Sequence, residues 1–215
     1  MLFWAVSGCN RLVKVDLSAF PKSLTNSIGM RLVLIPPGKF TMGSPATTEV
    51  LDDSQPQHEV QITRPFYMGV FEVTQSQFFE IMDDQPSHFC ATGVGADYVR
   101  GLDTQDFPVD RVTWEEAIEF CRRLSEQPEE LAAGRVYRLP TEAEWEFAAR
   151  AGSQEPWSFG GDHANLDEYA WHQSNAFNLD RNVPSVGGRL PKQWEFYDMD
   201  GNVWEWVTDY YQANY

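Results

Sequence analysis

Three times in this chain a threonine is followed three residues later by Gln or Glu and then by apolar residues at helical spacing, which fixes where its helices start. The segments are Thr74-Gln75-Ser76-Gln77, Thr113-Trp114-Glu115-Glu116 and Thr141-Glu142-Ala143-Glu144. In each, the Thr hydroxyl accepts from the amide three residues on, and the longer side chain reaches back to the Thr amide. Phe78, Ile81 and Met82 then follow at three- and four-residue intervals, as do Ala117, Phe120, Cys121 and Leu124, and Trp145, Ala148 and Ala149. Each helix therefore buries one stripe against a core. The third should close at Arg150-Ala151-Gly152, a basic last turn before a glycine able to take left-handed φ, with Glu146 and Arg150 paired across one turn.

Between these helices the period changes. The apolar run Arg31-Leu32-Val33-Leu34-Ile35, the turn residues Pro36-Pro37-Gly38 and the alternating Lys39-Phe40-Thr41-Met42-Gly43 predict a hairpin. His58-Glu59-Val60-Gln61-Ile62-Thr63 alternates as a half-buried strand, and 65–71 continues with strand-like composition. Val203-Trp204-Glu205-Trp206-Val207 reads as a last strand. Residues 153–190 are irregular and rich in Asn, Asp, Gly and aromatics; an ordered loop that long is commonly tied down by something. Fifteen Gly and thirteen Pro in 215 residues break up the rest. The expectation is one irregular, loop-rich α+β domain from about residue 29, preceded by a polar linker over 10–28.

A net charge of −16 argues against nucleic acid, which needs a cationic footprint. It leaves a solvated acidic surface, or carboxylates holding a hard cation such as calcium. Cys9, Cys90 and Cys121 have no zinc-type spacing, and a Cys90–Cys121 disulfide is open. His58, His88, His163 and His172 also lack metal-site spacing. No phosphate loop and no hydrolytic triad stands out. Nothing approaches the ~18 apolar residues of a membrane-spanning helix. Val6-Ser7-Gly8-Cys9 resembles a bacterial lipobox, although a basic leader region is missing. It gives the expectation of export and a lipid anchor at Cys9, against a chance match.

Alternation puts Glu205 between Val203 and Val207 on the inner face, with Trp204 and Trp206 together on the other. A buried carboxylate needs a partner: a basic group, hydrogen-bond donors or a metal ion. Trp114, Trp145, Trp204 and Trp206 are expected to pack in the core rather than form a ligand platform.

Several segments in order resemble one family. They are Gly38-Lys39-Phe40-Thr41-Met42-Gly43-Ser44, Pro56-Gln57-His58-Glu59-Val60, Phe71-Glu72-Val73-Thr74, Phe107-Pro108-Val109, Val112-Thr113-Trp114, 137–146 and Gly201-Asn202-Val203-Trp204-Glu205-Trp206. Together they look like the formylglycine-generating-enzyme, or sulfatase-modifying-factor, domain over about residues 29–211. The resemblance implies an irregular α+β fold related to C-type lectins, with structural calcium. By resemblance one ion takes Asp198 and Glu205 carboxylates with the Gly201 and Val203 carbonyls. A second takes the Asn165 side chain and the Leu166 carbonyl, with further ligands near Asn178 and Asp180. Family enzymes oxidise a cysteine in a sulfatase Cys-x-Pro-x-Arg motif to formylglycine, using oxygen and copper held by two cysteines. Those cysteines lie downstream of the segment matching 201–206, so this chain is expected to lack them and to be inert alone. The alternative is a non-catalytic, calcium-stabilised C-type-lectin-like binding or regulatory module.

Overall fold

The computed structural model describes residues 3–5, 16–44, 56–155, 157–160, 163–176 and 184–211. Its main sheet holds five antiparallel strands: β1 (Phe3–Ala5), β2 (Ser23–Thr25), β3 (Arg31–Ile35), β6 (Phe66–Gly69) and β7 (Tyr137–Arg138), in the order β2-β3-β6-β1-β7. A separate hairpin joins β4 (Gly38–Met42) to β5 (His58–Ile62). Alternation along β6 explains how one sheet serves two cores. Phe66 and Met68 point to one side with Ile35, Phe40, Phe147 and Phe196. Tyr67 points to the other with Leu32, Phe78, Phe120, Leu124 and Leu139.

The helices start where the caps require. Helix α1 (Gln75–Met82), α2 (Trp114–Ser125) and α4 (Glu142–Arg150) each begin with a reciprocal Thr–Gln or Thr–Glu capping box. Helices α1 and α2 cover the Tyr67 side, where Phe78 and Phe120 stack at 5.5 Å. Helix α4 covers the other, where Phe147 meets Phe40 at 5.3 Å. Glu146 pairs with Arg150 at 2.7 Å. At the α4 C-terminus Ala151 takes the left-handed cap conformation, φ 47°, one residue before Gly152. Shorter helices are α3 (Pro128–Ala132), α5 (Leu166–Tyr169) and α6 (Gln173–Ala176).

Three expectations need correction, and the open question of a Cys90–Cys121 disulfide is answered. The hairpin across Pro36-Pro37 does not form: both edges of β3 are taken, by β2 and β6, and β4 pairs with β5 instead. Two prolines without N–H groups cannot continue a ladder, so the chain leaves the sheet there. Within the expected linker, residues 23–25 form β2, and the Asn26 side chain accepts from the Ile28 and Met30 amides at 3.2 and 2.8 Å. Cys90 and Cys121 are free buried thiols, not a disulfide.

The third correction concerns 203–207, which alternates between half-buried and exposed residues yet joins no sheet. Side chains anchor it instead: Trp206 Nε1 donates to the Val112 carbonyl at 2.8 Å, and Trp114 Nε1 donates to the Val207 carbonyl at 2.9 Å. The Thr208 amide donates to Pro140 O at 2.8 Å. Trp204 is fully exposed and Trp206 about half-exposed, so neither is a core residue. Cys9 lies outside the described residues.

Candidate functional site

The end of β6 and the turn at 198–205 meet because backbone bonds force them together. Val70 N donates to Arg31 O at 2.9 Å, Tyr197 N donates to Val70 O at 3.2 Å, and Val109 N donates to Val73 O at 2.9 Å. Glu72 sits between these bonds, three residues beyond the end of β6 and two before the Thr74 cap. The facing turn is tight, with left-handed backbone at Asp198 (φ 57°) and Asn202 (φ 65°). Asn202 N donates to Trp171 O at 2.9 Å, and a Cβ on Gly201 would lie 2.0 Å from that same oxygen. Only glycine fits there.

Four acids and a lysine gather at this junction. Glu72 is only 4% exposed, and neither of its carboxylate oxygens has a hydrogen-bond partner. Burial, then the negative charges of Glu205 and Asp198, push its carboxyl well above the usual range. Asp198 is 1% exposed; its Oδ2 accepts from the Gly187 amide at 2.6 Å, while Oδ1 is unpartnered. Burial raises its carboxyl too, opposed by the Gly187 amide. Glu205 Oε2 accepts from Trp145 Nε1 at 2.8 Å. Lys192, buried, is ion-paired with Asp200. Burial lowers the Lys192 ammonium, with the nearby negative charge of Asp200, Glu205 and Asp198 pushing back. The Asn202 side chain is buried without a partner for either polar atom.

Asp198, Gly201 and Val203 lie along this turn with Glu205 at its exit; Asp198 is buried and Glu205 half-buried between two exposed tryptophans. Among the described residues no three His, Cys, Asp or Glu side chains stand close enough to form a metal cage by themselves. Two carboxylates supplemented by backbone carbonyls is the donor set that remains, and hard oxygen ligands of that kind suit calcium. The unpartnered Asp198 Oδ1 and Asn202 Oδ1 fit such an ion, since a buried acceptor left alone is costly.

The other expected cation site is less assembled. Asn165 is exposed at the start of α5, and the Leu166 carbonyl accepts from Ala170 N at 2.9 Å. Asn178 and Asp180 lie outside the described residues.

Neither described thiol is suited to redox chemistry. Cys121 sits inside the α2 core, where burial pushes its thiol up to about 12. Cys90 is buried and donates to Ser87 O at 3.2 Å. His172 bridges Asp167 at 2.6 Å and Ser174 at 2.9 Å, but Asp167 and Ser174 are exposed, and Asn175 also bonds Asp167. This local network closes the start of α6.

Glu72 is the residue that sequence reasoning passed over. Its signal was the one used for Glu205: an acid flanked by apolar residues, here Phe71 and Val73.

The family described as "Sulfatase-modifying factor enzyme 1-like domain" matches residues 18–215. A Paenibacillus barcinonensis protein named "Chaperone protein LppX" is 32% identical, the match covering 68% of this chain and 62% of that protein. The "Formylglycine-generating enzyme" of Bos taurus is 25% identical over 86% of this chain and 59% of its own length. The chain therefore spans about six-tenths of the length of these two relatives. Among solved structures, PvdO from Pseudomonas aeruginosa superposes with a TM-score of 0.72 at 27% identity, covering 90% of this chain and 76% of that one.

Proposed function

The chain belongs to the sulfatase-modifying factor family, and from that premise we propose that its 198–205 turn holds a calcium ion bracing a scaffold for partner binding. The observation that carries this reading is the unpartnered Asp198 Oδ1, on a side chain 1% exposed, beside the inward Glu205. Asp198 and Glu205 would bind through carboxylates, and Gly201 and Val203 through their carbonyls. Bound calcium supplies positive charge to a region where carboxylates outnumber Lys192. The chain's own part is to hold those oxygens in place: the Gly187 amide orients Asp198, the Trp145 indole orients Glu205, and Gly201 lets the turn close on Trp171.

The test is thermal melting in EGTA and in excess calcium. Binding at a hundredfold excess over Kd stabilises by about 2.7 kcal/mol. Glu205→Gln should abolish the calcium response and the luminescence of terbium excited through nearby tryptophan. Identical melting of the parent chain in both buffers, with no terbium signal, ends the calcium reading.

We further propose that Cys90 and Cys121 take no part in any oxidation of a sulfatase cysteine to formylglycine. A copper pair needs two accessible thiolates, and these two thiols do not fit one: both are buried, and the Cys121 thiol is held protonated by burial. Incubating the 215-residue chain with a Cys-x-Pro-x-Arg peptide, copper and oxygen should yield no aldehyde by mass spectrometry. Turnover abolished by Cys121→Ser would overturn this assignment. Export, a lipid anchor at Cys9 and a sulfatase partner remain part of the same proposal. Palmitate labelling in a bacterial host tests the anchor, and pull-down with an unfolded sulfatase segment tests the partner.

A further inference from the structure

In the strand order of the main sheet, β1 alone stands between β6 and β7. Phe3, Trp4 and Ala5 pair antiparallel with Met68, Tyr67 and Phe66, and Phe3 and Trp4 pair on the other side with Arg138 and Tyr137. Without β1, the facing edges of β6 and β7 would keep unpaired N–H and C=O groups across a gap of about two strand spacings, roughly 10 Å. All four residues of β6 are buried, so water is a poor substitute partner there. The lipobox-like Val6-Ser7-Gly8-Cys9 follows directly after β1. Processing at a lipobox cuts the chain just before its cysteine, so a chain anchored through Cys9 has lost β1.

We propose that the slot between β6 and β7 is an acceptor site for an extended apolar segment of another polypeptide, opened when the chain is cut before Cys9. How the slot opens rests on the anchor reading above; what fits it rests on the sheet alone. Along β6, Phe66 and Met68 face one core and Tyr67 faces the other. A strand in register with β6 therefore sends successive side chains into two apolar cores. An amphipathic strand would bury its polar face, and a charged residue would be desolvated without a partner. The occupant is thus apolar at consecutive positions, as Phe3-Trp4-Ala5 is in sequence. Proline is excluded, since both edges of the slot are ladders that need backbone donors. A helix spends its own backbone groups internally and cannot complete either ladder. The outer side of β7 offers no rival site: the Tyr137 amide there donates to Ser125 Oγ of α2 at 2.8 Å. Because most of the recognition is backbone pairing, many sequences sharing the apolar pattern fit.

The experiment keeps the whole chain. A specific protease site inserted between Gly8 and Cys9 lets the folded protein be cut after purification, leaving β1 as a non-covalent peptide. The probe is the Met1–Gly8 peptide with fluorescein on an added C-terminal lysine, followed by anisotropy in excess over the cut chain. It should enter the cut chain saturably and be chased by unlabelled peptide. Entry into the uncut chain should be at least roughly tenfold weaker, because there the tethered strand competes at high effective concentration. An unrelated apolar peptide, Val-Ile-Phe-Val-Leu-Ala, should compete with the probe. Trp4→Pro and Trp4→Asp versions of the Met1–Gly8 peptide should compete at least roughly tenfold more weakly. No saturable uptake, equal uptake by cut and uncut chains, or equal competition by the Pro and Asp peptides overturns the proposal. Amides at 66–68 that stay protected from hydrogen exchange after the cut peptide is dialysed away also overturn it, by showing that the chain refills its own slot. Palmitate on Cys9 without peptide uptake ends this inference and leaves the anchor. Peptide uptake without palmitate supports the slot and ends only the anchor.

Discussion

Two glutamates, Glu130 and Glu72, are buried against the same sheet, yet their surroundings are opposite. Glu130, in α3, is 0% exposed and has three kinds of donor. The Ser27 amide donates at 2.7 Å, the Tyr137 hydroxyl at 2.6 Å and Arg135 Nη1 at 3.1 Å. Burial alone would raise this carboxyl, but the bonds from Tyr137, Ser27 and Arg135 outweigh it and hold the carboxyl below its ordinary value. Glu72 has the same burial and no partner, so burial and two acidic neighbours raise it. The first site is complete as folded and ties residue 27 to α3 and β7. The second has no donor from the described residues. A fully satisfied buried charge is a structural rivet, whereas an orphaned one costs stability whenever it is ionised.

The sharpest way to break this contrast is to delete both charges. Glu130→Ala strands Arg135 and frees the Ser27 amide and the Tyr137 hydroxyl, and should cost about 3–5 kcal/mol. A urea midpoint matching the parent would show that the Glu130 network carries no stability. Glu72→Gln should move the other way in ligand-free buffer, raising stability by about 1–3 kcal/mol through loss of an unpaired buried charge. A lower midpoint for Glu72→Gln would mean that Glu72 already has a partner within the fold.

Titration sharpens the same pair. With its carboxyl lowered, Glu130 contributes stability that is present above its ordinary value of 4.5 and is lost as pH falls through the folded-state value below it. The gap between parent and Glu130→Ala should therefore hold from pH 7 to about 5 and close only under stronger acid. Glu72 has the opposite sign: its penalty is absent below 4.5 and grows as pH rises toward the raised folded-state value. The advantage of Glu72→Gln should accordingly shrink as pH falls from 7 toward 4.5. Parallel pH profiles for the two variants would dissolve the distinction.

The smallest expected effect lies outside both sites. Thr141→Ala removes the acceptor for the Glu144 amide at the start of α4 and should cost about 0.5–2 kcal/mol. Glu144 would keep its two bonds to Arg138, at 2.9 and 2.8 Å, so the helix should shorten rather than vanish. An unchanged midpoint would remove the capping box from the account of stability.

What the sequence determined by itself was whatever is local in the chain. A capping box closes over four residues, so all three helix starts were legible from Thr74, Thr113 and Thr141. The inward turn of Glu205 was legible too, because alternation follows from backbone geometry whether or not a neighbouring strand is present. Tertiary structure alone decided the rest. Whether β3 pairs with β4 or with β2 and β6 depends in part on β6, more than 30 residues further along, and no local pattern ranks those pairings. Trp204 and Trp206 share one face in the sequence, but only the fold shows that no element covers that face among the described residues. Glu72 and Glu130 are alike as sequence in that each is an acid followed by an apolar residue, Val73 or Leu131. What separates them is distant: Ser27 arrives from 103 residues away to complete one, and nothing described arrives to complete the other. Desolvation depends on every atom packed around a group, which no local run of residues records.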